Sequence, residues 1–295
     1  MAFVGQLLII GIAMGIVYGL IAMGFVLIYK ASGVFNFAQA QLVMIGAWFL
    51  WSLLEWANLP LVIALVLTTV LAGLFGWVVQ RLFLTPLAGQ PLFSLVMITI
   101  ALSAGFDGLA VSIWGGPMKT YPFALPGPES LALGPLQIGT EYVWVVGLCG
   151  VALAIFFAFF KFTKLGLGMR AASDNQRIGL SCGISVPTVF SWAWILSAVL
   201  AAWAGIFLGL RLGLDTQLHI IGLKALPVVL LGGLESLAGA VIGGVIIGLA
   251  EVLAGAYLDP LVGGGLKDLF PFIIMIIILL VRPQGLFGWK IIERV

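Results

Sequence analysis

Two carboxylates fall inside stretches too apolar to solvate them, Asp107 within 91–114 and Glu251 within 236–257. A charge at the centre of a bilayer costs roughly 2.5–3.5 kcal/mol on insertion scales, so each must face protein or water. Gly244, Gly248, Glu251 and Gly255 recur at i, i+4, i+7 and i+11, which puts Glu251 on a helix face whose glycines admit a neighbouring helix closely. Glu251 is then either a cavity-lining or coupling acid or a hydrogen-bonded staple between helices. The sequence offers it no recognisable partner, which favours the staple. Uncharged polar residues gather elsewhere. KASGVFNFAQAQ (30–41) interrupts the apolar pattern after the first long stretch, and GLKALPVVLLGGLESLAGA (222–240) does so near the end with Pro and paired Gly. Such interrupted segments in matching halves point to a midplane passage, because unwound backbone supplies polar groups without charge. Asn36, Phe37, Gln39 and Gln41 are the lining this predicts, the alternative being a simple turn with capping polar residues.

Catalytic chemistry has little to work with. No G-x-x-x-x-G-K-[ST] phosphate loop occurs, and the nearest look-alike, GGPMKT at 115–120, has the wrong spacing. H-E-x-x-H and G-x-S-x-G are absent as well. His219 is the only histidine, and Cys149 and Cys182 have neither disulfide nor ligand spacing. The reading is a non-enzyme that calls for no metal and no cofactor.

The elements that must position these residues are helices in lipid. Apolar residues make up 63% of the 295 and charged ones 8%, too little polar surface to cover a water-soluble globule. Runs of twenty or more apolar residues exclude a transmembrane barrel, whose strands alternate over about ten residues. Clear spans are expected at 5–29, 60–80, 91–114, 141–160 and 187–210, with less clean ones at 38–56, 224–234, 236–257 and 268–281. The predicted fold is an all-α, polytopic membrane bundle of about 8–9 spans with broken or re-entrant segments and a possible two-fold pseudo-repeat, forming one transmembrane domain over 1–295. Gly11, Gly15 and Gly19 form two successive G-x-x-x-G repeats in the first span, a surface for close packing that is expected to be intrachain.

The basic residues orient the chain. With the N-terminus outside, Lys30, Arg81, Lys161, Lys164, Arg170, Arg177, Arg282, Lys290 and Arg294 fall inside, leaving only Lys119, Arg211, Lys224 and Lys267 outside. The Pro- and Gly-rich loop 115–140 is expected outside as an ordered loop or short hairpin. Inside lies 161–186, where Arg170, Asp174 and Arg177 at i, i+4 and i+7 put a charged stripe on a short helix. The 13 basic and 11 acidic residues are spread too thinly to neutralise nucleic-acid phosphates.

IYKASGVFNFAQAQLVMIGAW resembles the opening of permeases of the branched-chain amino acid ABC transporters, which commonly read close to I-N-F-A-x-G-x-x-x-M-I-G-A there. LKALPVVLLGGLESLAGAVIGGVIIGLAE and LVRPQGLFG are similar to that family's paired-Gly segment and terminal R-P-x-G-L-F-G. MRAASDNQRIGLSCGISV looks like its cytoplasmic coupling segment. One departure is Gln39-Ala40-Gln41 after N-F-A, without the customary Gly, which bears on the cargo.

The resemblance implies an importer subunit in the bacterial inner membrane, carrying leucine, isoleucine and valine. It also implies a second permease (homo- or heterodimer), two cytoplasmic ATPases and a periplasmic binding protein. Arg170, Asp174, Arg177, Ile178 and Leu180 are then expected to dock the ATPase, the charges pairing across the interface and the aliphatic side chains filling a groove. The alternatives are the same machine importing urea, amides or aromatic acids, and an ion-coupled secondary carrier needing no ATPase. Few buried titratable groups argue against the carrier.

Overall fold

The computed structural model describes residues 2–87, 89–123, 128, 130–133, 136–174 and 185–288. Among the described residues, six helices are long and apolar enough to cross a membrane, at Phe3–Ser32, Leu61–Leu87, Leu92–Trp114, Thr140–Phe162, Pro187–Leu212 and Leu237–Tyr257. They match the five clear stretches and 236–257. The other three expected stretches form shorter helices. In chain order the helices are α1 (Ala2–Ser32), α2 (Gln39–Glu55), α3 (Leu61–Val79, extended by a π turn and a 3-10 turn to Leu87), α4 (Leu92–Trp114), α5 (Thr140–Phe162) and α6 (Lys164–Asp174). They continue as α7 (Val186–Leu212), α8 (Leu218–Leu223), α9 (Ala225–Gly232), α10 (Leu237–Tyr257), α11 (Asp259–Val262) and α12 (Leu266–Val281). The expected stretch 224–234 begins earlier, at Leu218, and is divided at Lys224.

Small residues set how closely these helices approach, because lipid tails give apolar side chains no reason to leave them and packing contacts must do so instead. The glycines of α1 meet those of α10. A Cβ on Gly15 would stand 2.6 Å from the Val245 Cα, and one on Gly248 would stand 2.6 Å from the Gly15 Cα. The two stripes read from spacing therefore face one another within the chain. Gly46 of α2 rests on Ala202 of α7, and Gly76 of α3 on Trp194 and Ala198 of the same helix.

Helix α2 runs through the middle of the bundle and is buried from Gln39 through Trp48. Its first residue lies against Gly24 of α1, eight residues before that helix ends. At 1.5 Å per residue, the chain has doubled back about 12 Å before α2 begins. Irregular backbone at that depth must satisfy its own polar groups. Gly33 N donates to Tyr29 O, Val34 N to Ser32 Oγ, Phe37 N to Thr99 Oγ1 and Ala38 N to Asn36 Oδ1.

The second interruption is handled similarly. Gly233 ends α9 with φ 96°, a backbone angle side chains resist, and its missing side chain makes room for Gly288, whose N would lie 2.6 Å from a Cβ placed there. The tail then closes over the break, with Leu286 N donating to Leu231 O and Phe287 N to Gly232 O. Ser236 Oγ caps α10 by accepting from Gly239 N. Lys30 Nζ reaches Glu235 O at 3.1 Å, so the ends of both interruptions meet at one end of the bundle.

At the other end, Ser130–Leu133 and Leu136–Gly139 pair as an antiparallel two-stranded sheet, β1 and β2. The 115–140 loop is anchored by paired backbone bonds between Lys119 and Leu214, and by Tyr121 Oη to Ala47 O.

Candidate functional site

Among the described residues, three polar clusters hold the residues singled out in the sequence. The first is the fold-back between α1 and α2. Asn36 and Gln39 are both fully buried. Asn36 Nδ2 donates to Gln39 Oε1 at 3.3 Å, and Ser197 Oγ of α7 is 2.8 Å from the same oxygen and 3.0 Å from Gly24 O. Gln39 Nε2 completes the set on Ser197 O. These amides tie α1, α2 and α7 together and satisfy one another. Phe37 is half-buried, its ring 5.2 Å from Phe35, which stacks on Phe25.

The second cluster opens toward α4. Gln41, two residues beyond Gln39, sends Nε2 to Asp107 Oδ2 at 3.4 Å. His219 Nδ1 from α8 lies 2.9 Å from Thr216 O, which can only accept, so that nitrogen carries the proton, and it stands 3.4 Å from Asp107 Oδ1. Gln41 Oε1 and Asp107 Oδ1 are buried acceptors without a hydrogen-bond donor. Asp107 nevertheless keeps 35% of its side chain exposed, on a helix whose Gly105 and Gly108 meet nothing within 4 Å. Asp107 and Gln41 each stand out in the sequence. Their meeting with His219 does not, because 66 residues separate Gln41 from Asp107, His219 lies farther still along the chain, and no local period links them.

The third cluster gives Glu251 the partner its sequence withheld. Lys224 Nζ, at the break between α8 and α9, lies 2.5 Å from Glu251 Oε1 and 2.7 Å from Asp268 Oδ1 of α12. Lys224 and Glu251 are each only 12% exposed. Glu251 also lines an open cavity of about 730 Å³ with Tyr18, Arg211, Lys267 and aliphatic residues. Both alternatives for Glu251, staple and cavity-lining acid, thus describe its placement.

Of the expected docking residues, Arg170 and Asp174 lie on α6, while Arg177, Ile178 and Leu180 lie outside the described residues. The charges of this stripe were expected to pair across the ATPase interface. Within the chain Arg170 turns back to α5, where its Nη1 donates to Phe160 O, its Nη2 to Lys161 O, and its guanidinium covers the Phe160 ring at 5.5 Å. Carbonyls at a helix C-terminus lack intrahelical donors and carry partial negative charge, which draws the cation inward. Among the described residues no group of three or more His, Cys, Asp or Glu side chains could hold a metal ion.

Comparison with known proteins agrees with this architecture. The family described as branched-chain amino acid transport system, permease component, matches residues 7–279. The high-affinity branched-chain amino acid transport system permease protein LivH of Escherichia coli K12 is 28% identical over 97% of this chain and 96% of its own. BraD, the corresponding permease protein of Pseudomonas aeruginosa, is 27% identical over 98% and 97%. A probable LivH of Methanocaldococcus jannaschii is 28% identical over 93% and 90%. Among solved structures, PsaBC from Streptococcus pneumoniae in complex with Fab shares the fold, with a TM-score of 0.50 at 14% identity over 97% of this chain and 94% of that one. The chain is a multi-pass membrane protein that belongs to the branched-chain amino acid transport system permease family.

Proposed function

We propose that this chain is one of two transmembrane subunits of an ATP-driven importer carrying leucine, isoleucine and valine across the bacterial inner membrane. The single observation that carries this reading is the family match over residues 7–279, nearly the whole bundle. ATP hydrolysis belongs to separate cytoplasmic ATPases, since these 295 residues contain no phosphate loop, and delivery belongs to a periplasmic binding protein. Residues 1–295 act as one transmembrane domain of nine crossings, N-terminus outside and C-terminus in the cytoplasm. The three shorter segments, α2, α8 with α9, and α12, make up the count. Loop 115–140 is then external and 161–186 cytoplasmic, where α6 and the residues through Leu180 receive the ATPase.

The passage is proposed to run along the α4 face at Gln41, Asp107 and His219. A carboxylate one-third exposed at membrane depth is too costly in lipid, so this face meets water and a second permease subunit. Asn36 and Gln39, saturated by each other and by Ser197, hold the fold-back that presents Gln41, and Phe37 packs it from the side. Uptake of labelled leucine and labelled urea, in cells expressing this chain with and without its ATPase and binding-protein partners, tests the reading. Leucine uptake that needs every partner supports it. Urea uptake alone moves the cargo, and partner-independent uptake of either replaces the importer with a carrier.

A further inference from the structure

With the N-terminus outside, four basic residues fall on the side where the positive-inside rule disfavours them, namely Lys119, Arg211, Lys224 and Lys267. Lys119 lies over the Trp51 ring, 4.0 Å from its centroid. The other three line one and the same cavity, the 730 Å³ opening among α1, α7, α8, α10 and α12. Two carboxylates, Glu251 and Asp268, share it. Three cations against two anions leave one positive charge over.

The lining is graded. Tyr18, almost wholly buried, and the Lys224–Glu251 pair stand deep, while Lys267 and Asp268 are exposed. Lys224 is held between both carboxylates, and Glu251 Oε2, on a carboxylate that the Tyr18 side chain also faces, is a buried acceptor with no donor within hydrogen-bond distance. Ile10, Met14, Ile220, Ile221, Val252 and Phe272 supply the rest of the wall. Ligand cavities of about 300–1,000 Å³ are commonly built this way, mostly apolar with a few convergent polar groups.

We infer that this cavity binds the zwitterion of an aliphatic α-amino acid, separately from the Gln41–Asp107–His219 cluster. The ligand's ammonium donates to Glu251 Oε2, its carboxylate takes the surplus positive charge of Lys267 and Arg211, and its side chain lies on the aliphatic wall. The inference rests on the importer reading and on the orientation that places these cations outside. A zwitterionic phospholipid headgroup presents the same ammonium and anionic oxygens, so the test separates the two.

The test is equilibrium binding of radiolabelled leucine to the purified permease–ATPase complex, without binding protein, in nanodiscs of phosphatidylglycerol alone and of phosphatidylglycerol with phosphatidylethanolamine. The site predicts saturable binding in both, competition by leucinol and isocaproate at least tenfold weaker than by leucine, and at least fivefold weaker binding in Lys267→Ala. Ile220→Trp, which adds bulk to the cavity wall and leaves every ion-paired residue in place, should abolish it. Absence of saturable binding, equal competition by leucinol, or full binding by the Ile220→Trp variant overturns the site. Binding suppressed by phosphatidylethanolamine assigns the cavity to lipid and overturns it too. Partner-dependent leucine uptake by the wild-type chain is measured alongside. If that uptake is normal and binding is absent, the site fails while the importer stands, and if uptake is absent, the importer reading itself has failed.

Discussion

Lys224 and Glu251, 27 residues apart, meet at 2.5 Å between the junction of α8 with α9 and the C-terminal third of α10. A third group, Asp268, holds the same ammonium at 2.7 Å. Removing one partner of a buried pair strands the other's charge, which typically costs about 3–5 kcal/mol, whereas removing both often costs far less. Lys224→Met should therefore lower the unfolding midpoint of the purified protein sharply, and Lys224→Met with Glu251→Gln should recover most of the loss. Thermal unfolding in detergent, read as a double-mutant cycle, checks this. A loss in the double variant equal to the sum of the losses in Lys224→Met and Glu251→Gln would show that the pair is not coupled.

The glycine contact between α1 and α10 predicts a graded series. A Cβ at Gly15 would stand 2.6 Å from Val245 Cα, and one at Gly19 would stand 3.3 Å from Val241 Cα. Overpacking of this kind costs about 1–3 kcal/mol where neighbours are backbone and cannot swing away. Gly15→Ala should destabilise more than Gly19→Ala in the same unfolding assay, and Gly15→Leu should prevent accumulation of folded protein.

The two amide clusters should respond differently. Asn36→Leu with Gln39→Leu removes the groups that tie α1, α2 and α7, and should lower both stability and uptake, each stranded polar partner costing about 1–3 kcal/mol. Asp107→Asn keeps an acceptor for Gln41 Nε2 while deleting the charge. It should leave the unfolding midpoint within about 0.5 kcal/mol, as for substitutions that break no packing or buried network. Leucine uptake should nevertheless drop at least tenfold. Unchanged uptake in Asp107→Asn would take the passage away from α4.

Much of the architecture was legible because hydrophobic length is a one-dimensional signal, and it located all six long helices. Spacing at i and i+4 likewise identified glycine faces on α1 and α10. Such a period names a face and not its partner, so the pairing of Gly15 with Gly244 and Gly248 needed the fold. The interruption at 30–41 drew attention to Asn36, Gln39 and Gln41, which the fold buries. Whether they line space or satisfy each other depends on Ser197, 158 residues from Gln39, and no local pattern reports that. Glu251 looked solitary for the same reason. The charged stripe on α6 was readable, but the direction of Arg170 was set by the unsatisfied carbonyls of α5, which a helical wheel leaves out.

Arg170 therefore joins α6 to α5 as well as carrying charge. Its replacement by Ala should leave the chain inserted and the ATPase bound, because Asp174 and the residues beyond it remain. Leucine uptake per ATP hydrolysed should fall severalfold, since displacement of α6 no longer pulls on α5. Charge reversal at both Arg170 and Arg177 should abolish coupled uptake altogether. Normal transport by that double variant, measured in membrane vesicles, would remove the docking assignment.

On the proposed function, this chain moves branched-chain amino acids only as part of an ATP-driven assembly. The most direct test is leucine accumulation in proteoliposomes containing the permease pair, the ATPases and the binding protein, with each component omitted in turn. Uphill accumulation should require ATP and every component. Accumulation driven by an ion gradient with the ATPases left out would contradict the importer.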